Sequence, residues 1–199
     1  MIKNFHYQLF VCDTETTGLD PYQNDIIELS LLRLNDEVQK TWHIKPINVS
    51  NISADALRVN GHKLEDITHQ TKYGKDTYQD PHKVIVEIEN WIMESGASRE
   101  DVMLIGQNIA FDKNMLEQLW KKCNADDSFP FGRRILDTMQ FEVLMDLAKE
   151  TKSESYSLSS IIKKYGIKND KAHTAAADVK ATKELFIKQI ELLQSMLAK

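Results

Sequence analysis

Four apolar residues, Leu9-Phe10-Val11-Cys12, run without a break into Asp13-Thr14-Glu15-Thr16-Thr17-Gly18. A short apolar run of this kind reads as a buried strand. Side chains two apart on a strand point the same way, so Asp13 and Glu15 are expected side by side where the strand stops. Two like charges so placed repel unless a cation lies between them. Hard divalent ions such as magnesium and manganese suit oxygen ligands. A chain with this feature must bury one strand and keep a polar site open at its end. A lone Asp-x-Glu is usually a solvated turn. Two further acidic motifs downstream set this one apart.

The chain has 199 residues, enough for one domain with a sizeable core. No repeat, low-complexity tract or Gly/Ser linker divides it, so residues 1–199 are read as a single domain. Hydrophobic residues make up 42% and charged residues 28%, the balance of a soluble globular protein. No apolar stretch is long enough to span a bilayer and no signal-peptide pattern opens the chain, so no membrane association is expected. Two cysteines, Cys12 and Cys123, make no disulfide framework, which points to a reducing, cytoplasmic compartment. A net charge of −5 argues against gripping nucleic acid by bulk electrostatics. It leaves room for an enzyme whose acids are neutralised by bound metal. Lys163, Lys164, Lys168 and Lys171 form a local basic cluster.

Periodicity and turn chemistry predict strands near 7–13, 25–34 and 38–45, the last two joined as a hairpin at Asn35-Asp36. Residues 46–80 read as irregular, with a helical turn after Ser53, and 63–80 carry no clear signal. Asp80 and Pro81 start a helix that Gly96 ends. A strand over Val102–Ile105 leads through Gly106-Gln107-Asn108 into a helix, and another strand is expected near 134–136. Helices follow near 138–149, 157–165 and 174–197, the last with an apolar stripe through Val179, Thr182, Phe186, Ile190, Leu193 and Leu197. The expected fold class is an α/β three-layer domain with a mixed sheet of about five strands and helices on both faces.

The second acidic motif is Asn108-Ile109-Ala110-Phe111-Asp112, where a strand end feeds a helix whose N-terminus favours a carboxylate. The third is His173-Thr174-Ala175-Ala176-Ala177-Asp178. Thr174 reads as its helix cap, and the small alanines let the helix lie close to the sheet and carry Asp178 toward Asp13. Together these motifs provide four carboxylates and an imidazole at element ends, which suits two metal ions roughly 4 Å apart.

The set resembles the DEDD 3′–5′ exonucleases, a family that includes the proofreading epsilon subunit of bacterial DNA polymerase III and ribonuclease T. The likeness covers about residues 7–190. His173 stands five residues before Asp178, as in the DEDDh subgroup; the tyrosine subgroup has Tyr four before, where this chain has Thr174. Gln107 departs from the His that many members place before the Asn.

The resemblance implies a ribonuclease H-like fold and hydrolysis from a free 3′ end of single-stranded DNA or RNA, releasing nucleoside 5′-monophosphates. It implies two divalent cations, Mg2+ or Mn2+. One would be held by Asp13, Glu15 and Asp178, the other mainly by Asp13 with Asp112 acting through water. His173 would be the general base, with activity rising with pH through the imidazole range. Substrate contacts are implied for Thr16, Leu19, Val59, His62 and Asn108, with Lys171 and its basic neighbours on phosphates. The partners implied are single-stranded 3′ ends. Two alternatives stay open: a proofreading subunit attached to a DNA polymerase, and a catalytically silent nucleic-acid-binding module of the same fold. The oligomeric state, monomer or homodimer, is left open as well.

Overall fold

A computed structural model describes residues 6–68, 77–169 and 172–198. The strand-forming runs become β1 (Gln8–Thr16), β2 (Ile26–Arg33), β3 (Val38–His43), β4 (Val102–Gly106) and β5 (Ile135–Asp137). They form one sheet in the order β3-β2-β1-β4-β5. Pairing is antiparallel from β3 to β1 and parallel from β1 to β5, so the sheet is mixed. The helices are α1 (Ala54–Asn60), α2 (Leu64–Thr68), α3 (Pro81–Met93), α4 (Ile109–Lys122), α5 (Thr138–Ala148), α6 (Leu158–Lys164) and α7 (Ala175–Leu197).

The alternation along β1 builds three layers. Phe10 and Cys12 face a core made with α3 and α4, including Ile88, Trp91, Leu116 and Trp120. Leu9 and Val11 face the other way, onto Val179 and Phe186 of α7. Asp80 caps α3 by accepting from the His82 amide, and Pro81 opens the helix. Asp137 caps α5 and Ser157 caps α6 in the same way. Both cysteines are free and buried.

Three expectations are corrected. Residues 46–80, expected to be largely irregular, hold α1 and α2. Ser53 caps α1, and Gly61 ends it in the left-handed conformation at φ 75°. The apolar stripe of α7 stops contributing to the core near Ile190: Leu193 is at the surface and Leu197 is 85% exposed. The helix has 23 residues, about 35 Å, while the longest strand has nine, about 30 Å. After Ile190 its last turns are mostly exposed.

The third correction concerns the first acidic motif. β1 does not stop at Asp13; it continues to Thr16 because β2 keeps pairing with it as far as Thr16 opposite Ile26. Its parallel neighbour β4 last pairs with it at Val11. Asp13 and Glu15 therefore lie within a strand whose one flank has become vacant. β1 is also where the sheet passes from antiparallel to parallel, the kind of switch point at which open α/β sheets form sites.

Candidate active site

Asp13 and Glu15 point toward α7, and α7 brings Asp178 to meet them from its first turn. Carboxylate oxygens of Asp13, Glu15 and Asp178 lie within 4.8 Å of one another. The alanines before Asp178 permit this approach: Ala175 is fully buried, and the peptide of Ala176 is held on both sides. Its carbonyl accepts from Gln39 Nε2 at 2.9 Å and its N–H donates to Glu28 Oε1 at 3.3 Å. Asp178 is itself oriented, accepting from Asn169 Nδ2 at 2.5 Å and from the His173 backbone N–H at 3.1 Å.

Asp112 reaches the same region from the opposite layer. It is buried on α4 and accepts from the Thr14 hydroxyl at 2.8 Å. Gly106 makes this possible. A Cβ there would lie 2.6 Å from Ile109 Cδ1 and 3.0 Å from the Cys12 carbonyl oxygen, so a larger residue would force Ile109, at the start of α4, to shift. Asn108, at φ 56°, makes the sharp entry into α4 and donates its backbone N–H to Asp137 Oδ1 at 3.0 Å.

The electrostatics indicate what kind of ligand this acid group suits. Burial first, and then the charges of Asp112, Asp178, Glu15 and Glu28, push the Asp13 carboxyl well up. Burial and the charges of Asp178, Glu28 and Asp112 push Glu15 up to about 8. Burial raises Asp178 too, against the hydrogen bonds from Asn169 and His173. Converging oxygens whose anionic forms are mutually destabilised are a donor set that a hard divalent cation fits.

His173 stands exposed at φ 67°, on the rim of a groove that includes Asp13, Asp178, Gln107, Ser157, Lys163 and Lys168. Of the basic cluster, Lys163 and Lys168 line this groove. Lys164 does not, because its ammonium pairs with buried Glu142 at 2.9 Å and with Asp146 at 3.6 Å. Lys171 lies outside the described residues.

A second groove opens on the other side of the acids, lined by Glu15, Thr16, Leu19, Val59, Asn60 and Phe111 among others. Leu19 is 83% exposed there and Val59 57%, so two apolar side chains face water on its walls. His62 is not in this groove. Its imidazole is buried between Glu28 Oε2 at 3.2 Å and the Tyr78 hydroxyl at 2.6 Å. Asn60 and Phe111 occupy the groove instead. Both lie in segments that the sequence marks out, but no local signal separates them there from their neighbours. Asn60 is buried and donates from Nδ2 to the Thr16 carbonyl at 3.1 Å, fastening the end of β1 to α1.

Comparison with known proteins identifies the family. The exonuclease family model designated RNase_T matches residues 10–186, which contain all three acidic motifs. The chain belongs to this exonuclease family. Ribonuclease T of Haemophilus ducreyi is 25% identical over 96% of this chain and 88% of that protein. The PolC-type DNA polymerase III of Thermotoga petrophila is 28% identical over 98% of the chain, which spans only 13% of that polymerase. Among solved structures, the exonuclease I of E. coli in its complex with single-stranded DNA superposes with a TM-score of 0.76. The identity is 17%, covering 96% of this chain and 42% of that one. In this exonuclease-family chain no helix among the described residues is long and apolar enough to cross a membrane.

Proposed function

We propose that this protein is a metal-dependent 3′–5′ exonuclease acting on single-stranded nucleic acid and releasing nucleoside 5′-monophosphates, with residues 1–199 as a single exonuclease domain. The observation that carries the reading is the convergence of the Asp13, Glu15 and Asp178 oxygens within 4.8 Å. These residues, with Asp112 behind them, would hold Mg2+ or Mn2+. Cations there would neutralise the phosphoryl oxygens and make water a better nucleophile at neutral pH.

The chain's own groups supply the rest. His173, at the groove rim beside Asp178, takes the proton of the attacking water. Leu19, Val59 and Phe111 offer apolar surface to the terminal bases, and contact of that kind tolerates any sequence. Lys163 and Lys168 line the groove on the other side of the acids and meet the phosphates. A strand laid across both grooves puts a scissile phosphate over the acids. The single-stranded complexes of exonuclease I, including one with a dT13 oligonucleotide, support a single-stranded substrate.

The deciding experiment is digestion of 3′-labelled single-stranded DNA and RNA with Mg2+ or Mn2+, with Asp13→Ala as control. Mononucleotides released from the labelled end by the parent and not by the variant are expected. Internal cleavage, or equal activity in the variant, overturns the reading. The match within PolC-type polymerases favours a second reading, in which the domain works alongside a DNA polymerase.

A further inference from the structure

Glu28 is a carboxylate that none of the three motifs contains, yet it adjoins the acids that carry the proposed chemistry. It lies on β2 directly opposite Glu15 in the strand pairing and is 5% exposed. Like charges set opposite each other weaken a sheet, and a buried carboxylate without partners is costly. Glu28 has a partner for each oxygen. Oε1 accepts the Ala176 N–H at 3.3 Å, and Oε2 lies 3.2 Å from His62 Nε2 and 3.9 Å from His43 Nε2. The Tyr78 hydroxyl, 2.6 Å from Nδ1, fixes the His62 ring from behind, and the Tyr78 ring stands edge-on to both imidazoles. Burial pushes the Glu28 carboxyl up, but the hydrogen bonds from His62 and Ala176, with His43 nearby, bring it below its ordinary value. Glu15, its neighbour across the ladder, is pushed the opposite way.

Both Glu28 oxygens are thus already engaged, and Glu28 is not in the trio whose oxygens converge. What it does is join two elements. Ala176 lies two residues before Asp178 on α7, and Glu15 lies across the β1–β2 ladder. The ladder fixes β1 against β2 by its own hydrogen bonds. At the start of α7 the residues before Asp178 are alanines, Val179 after it packs on Leu9 and Val11, and Ala176 is held by hydrogen bonds with Glu28 and Gln39.

We infer that Glu28 is a positioning residue: by accepting the Ala176 amide while His62 and Tyr78 lock its own side chain, it sets how far Asp178 stands from Asp13 and Glu15. The affinity of the trio for a divalent cation follows from that distance. The inference rests on the reading that the trio holds cations, and its test separates the two.

The test is titration of the whole protein with Mn2+ alone, without nucleic acid, following free manganese by electron paramagnetic resonance. The proteins compared are the parent, Asp13→Ala, Glu28→Gln, Glu28→Asp and Glu28→Ala. Glutamine keeps an acceptor of the same reach for Ala176, and aspartate keeps the charge but is one methylene short. Positioning predicts that Glu28→Gln binds within about threefold of the parent, whereas Glu28→Asp and Glu28→Ala bind about tenfold more weakly, the loss of one hydrogen bond. At fixed Mn2+, kcat falls in the same order while KM for an oligonucleotide holds, because Glu28 lines neither groove.

Equal binding by all three Glu28 variants overturns the inference and leaves the metal reading standing. So does the reverse order, with aspartate strong and glutamine weak, which would make charge the cause. A parent that binds no Mn2+, or binds it no better than Asp13→Ala, overturns the metal reading and this inference with it. If Glu28→Ala does not fold, the glutamine and aspartate pair still decides.

Discussion

At the scale of single residues, the site separates groups that converge from groups that only neighbour them. Asp13, Glu15 and Asp178 converge, while His173 sits on the rim with its backbone, not its ring, bonded to Asp178. Replacing His173 by Ala should therefore lower kcat by about 10²–10⁴-fold, the range for losing a general base. Manganese affinity should stay unchanged, and a titration beside the rate assay checks both. The exposed Leu19 and half-buried Phe111 line the groove proposed to take the 3′ end. Leu19→Ala or Phe111→Ala should raise KM for short oligonucleotides about tenfold, the value of one base stack, whatever the base. A change confined to one base would contradict sequence-tolerant stacking. His62 shows how far a motif read in one dimension can mislead. It follows Val59 by three residues, but beyond Gly61, in the left-handed conformation, its ring meets Glu28 and Tyr78 and not the groove that Val59 lines.

At the scale of elements, α6 and the residues just after it carry the described part of the basic cluster, and these lysines divide by direction. Lys163 and Lys168 line the groove, whereas Lys164 turns inward to Glu142 and Asp146 on α5, where the Tyr165 hydroxyl and Gln189 Nε2 also meet Glu142. Charge reversal at Lys163 or Lys168 should weaken oligonucleotide binding and reduce its salt slope by roughly 0.7 for each phosphate left without its lysine, with little change in stability. Lys164→Glu should do the reverse, leaving two buried acids facing a third and lowering the urea midpoint while the salt slope holds. Binding isotherms at several salt concentrations and urea melts separate the two. The cap at Asp80 is readable in local sequence because it satisfies an amide two residues on; the structure adds caps at Asp137 and Ser157, which act as locally. The end of β1 is not readable there, because it depends on β2 continuing to pair after β4 has stopped.

At the scale of the whole molecule, the layers press several acids into one place, and stability should report it. Glu15 is raised from its ordinary 4.5 to about 8, and Asp13, Asp112 and Asp178 are raised as well. Between those limits the folded state holds protons that the unfolded state has released, so its stability falls as pH rises. Below the window Glu28, whose carboxyl is lowered, acts in the opposite sense. Metal-free protein in EDTA should therefore melt at progressively lower temperature from about pH 4.5 to about pH 8. Saturating Mg2+ should recover about 5–10 °C at the upper end. Scanning calorimetry across that range checks both, and a rising Tm without metal would contradict the geometry. The sequence by itself determined the three-layer mixed sheet and the residues of the acidic group, because period-two and period-3.6 patterns and capping chemistry are local and repeat over many residues. Only the tertiary structure decided which lysines face the groove, that His62 turns away, and that Glu28 adjoins the converging acids. Those outcomes depend on where residues far apart in the chain meet, and pairing and packing across the layers set that.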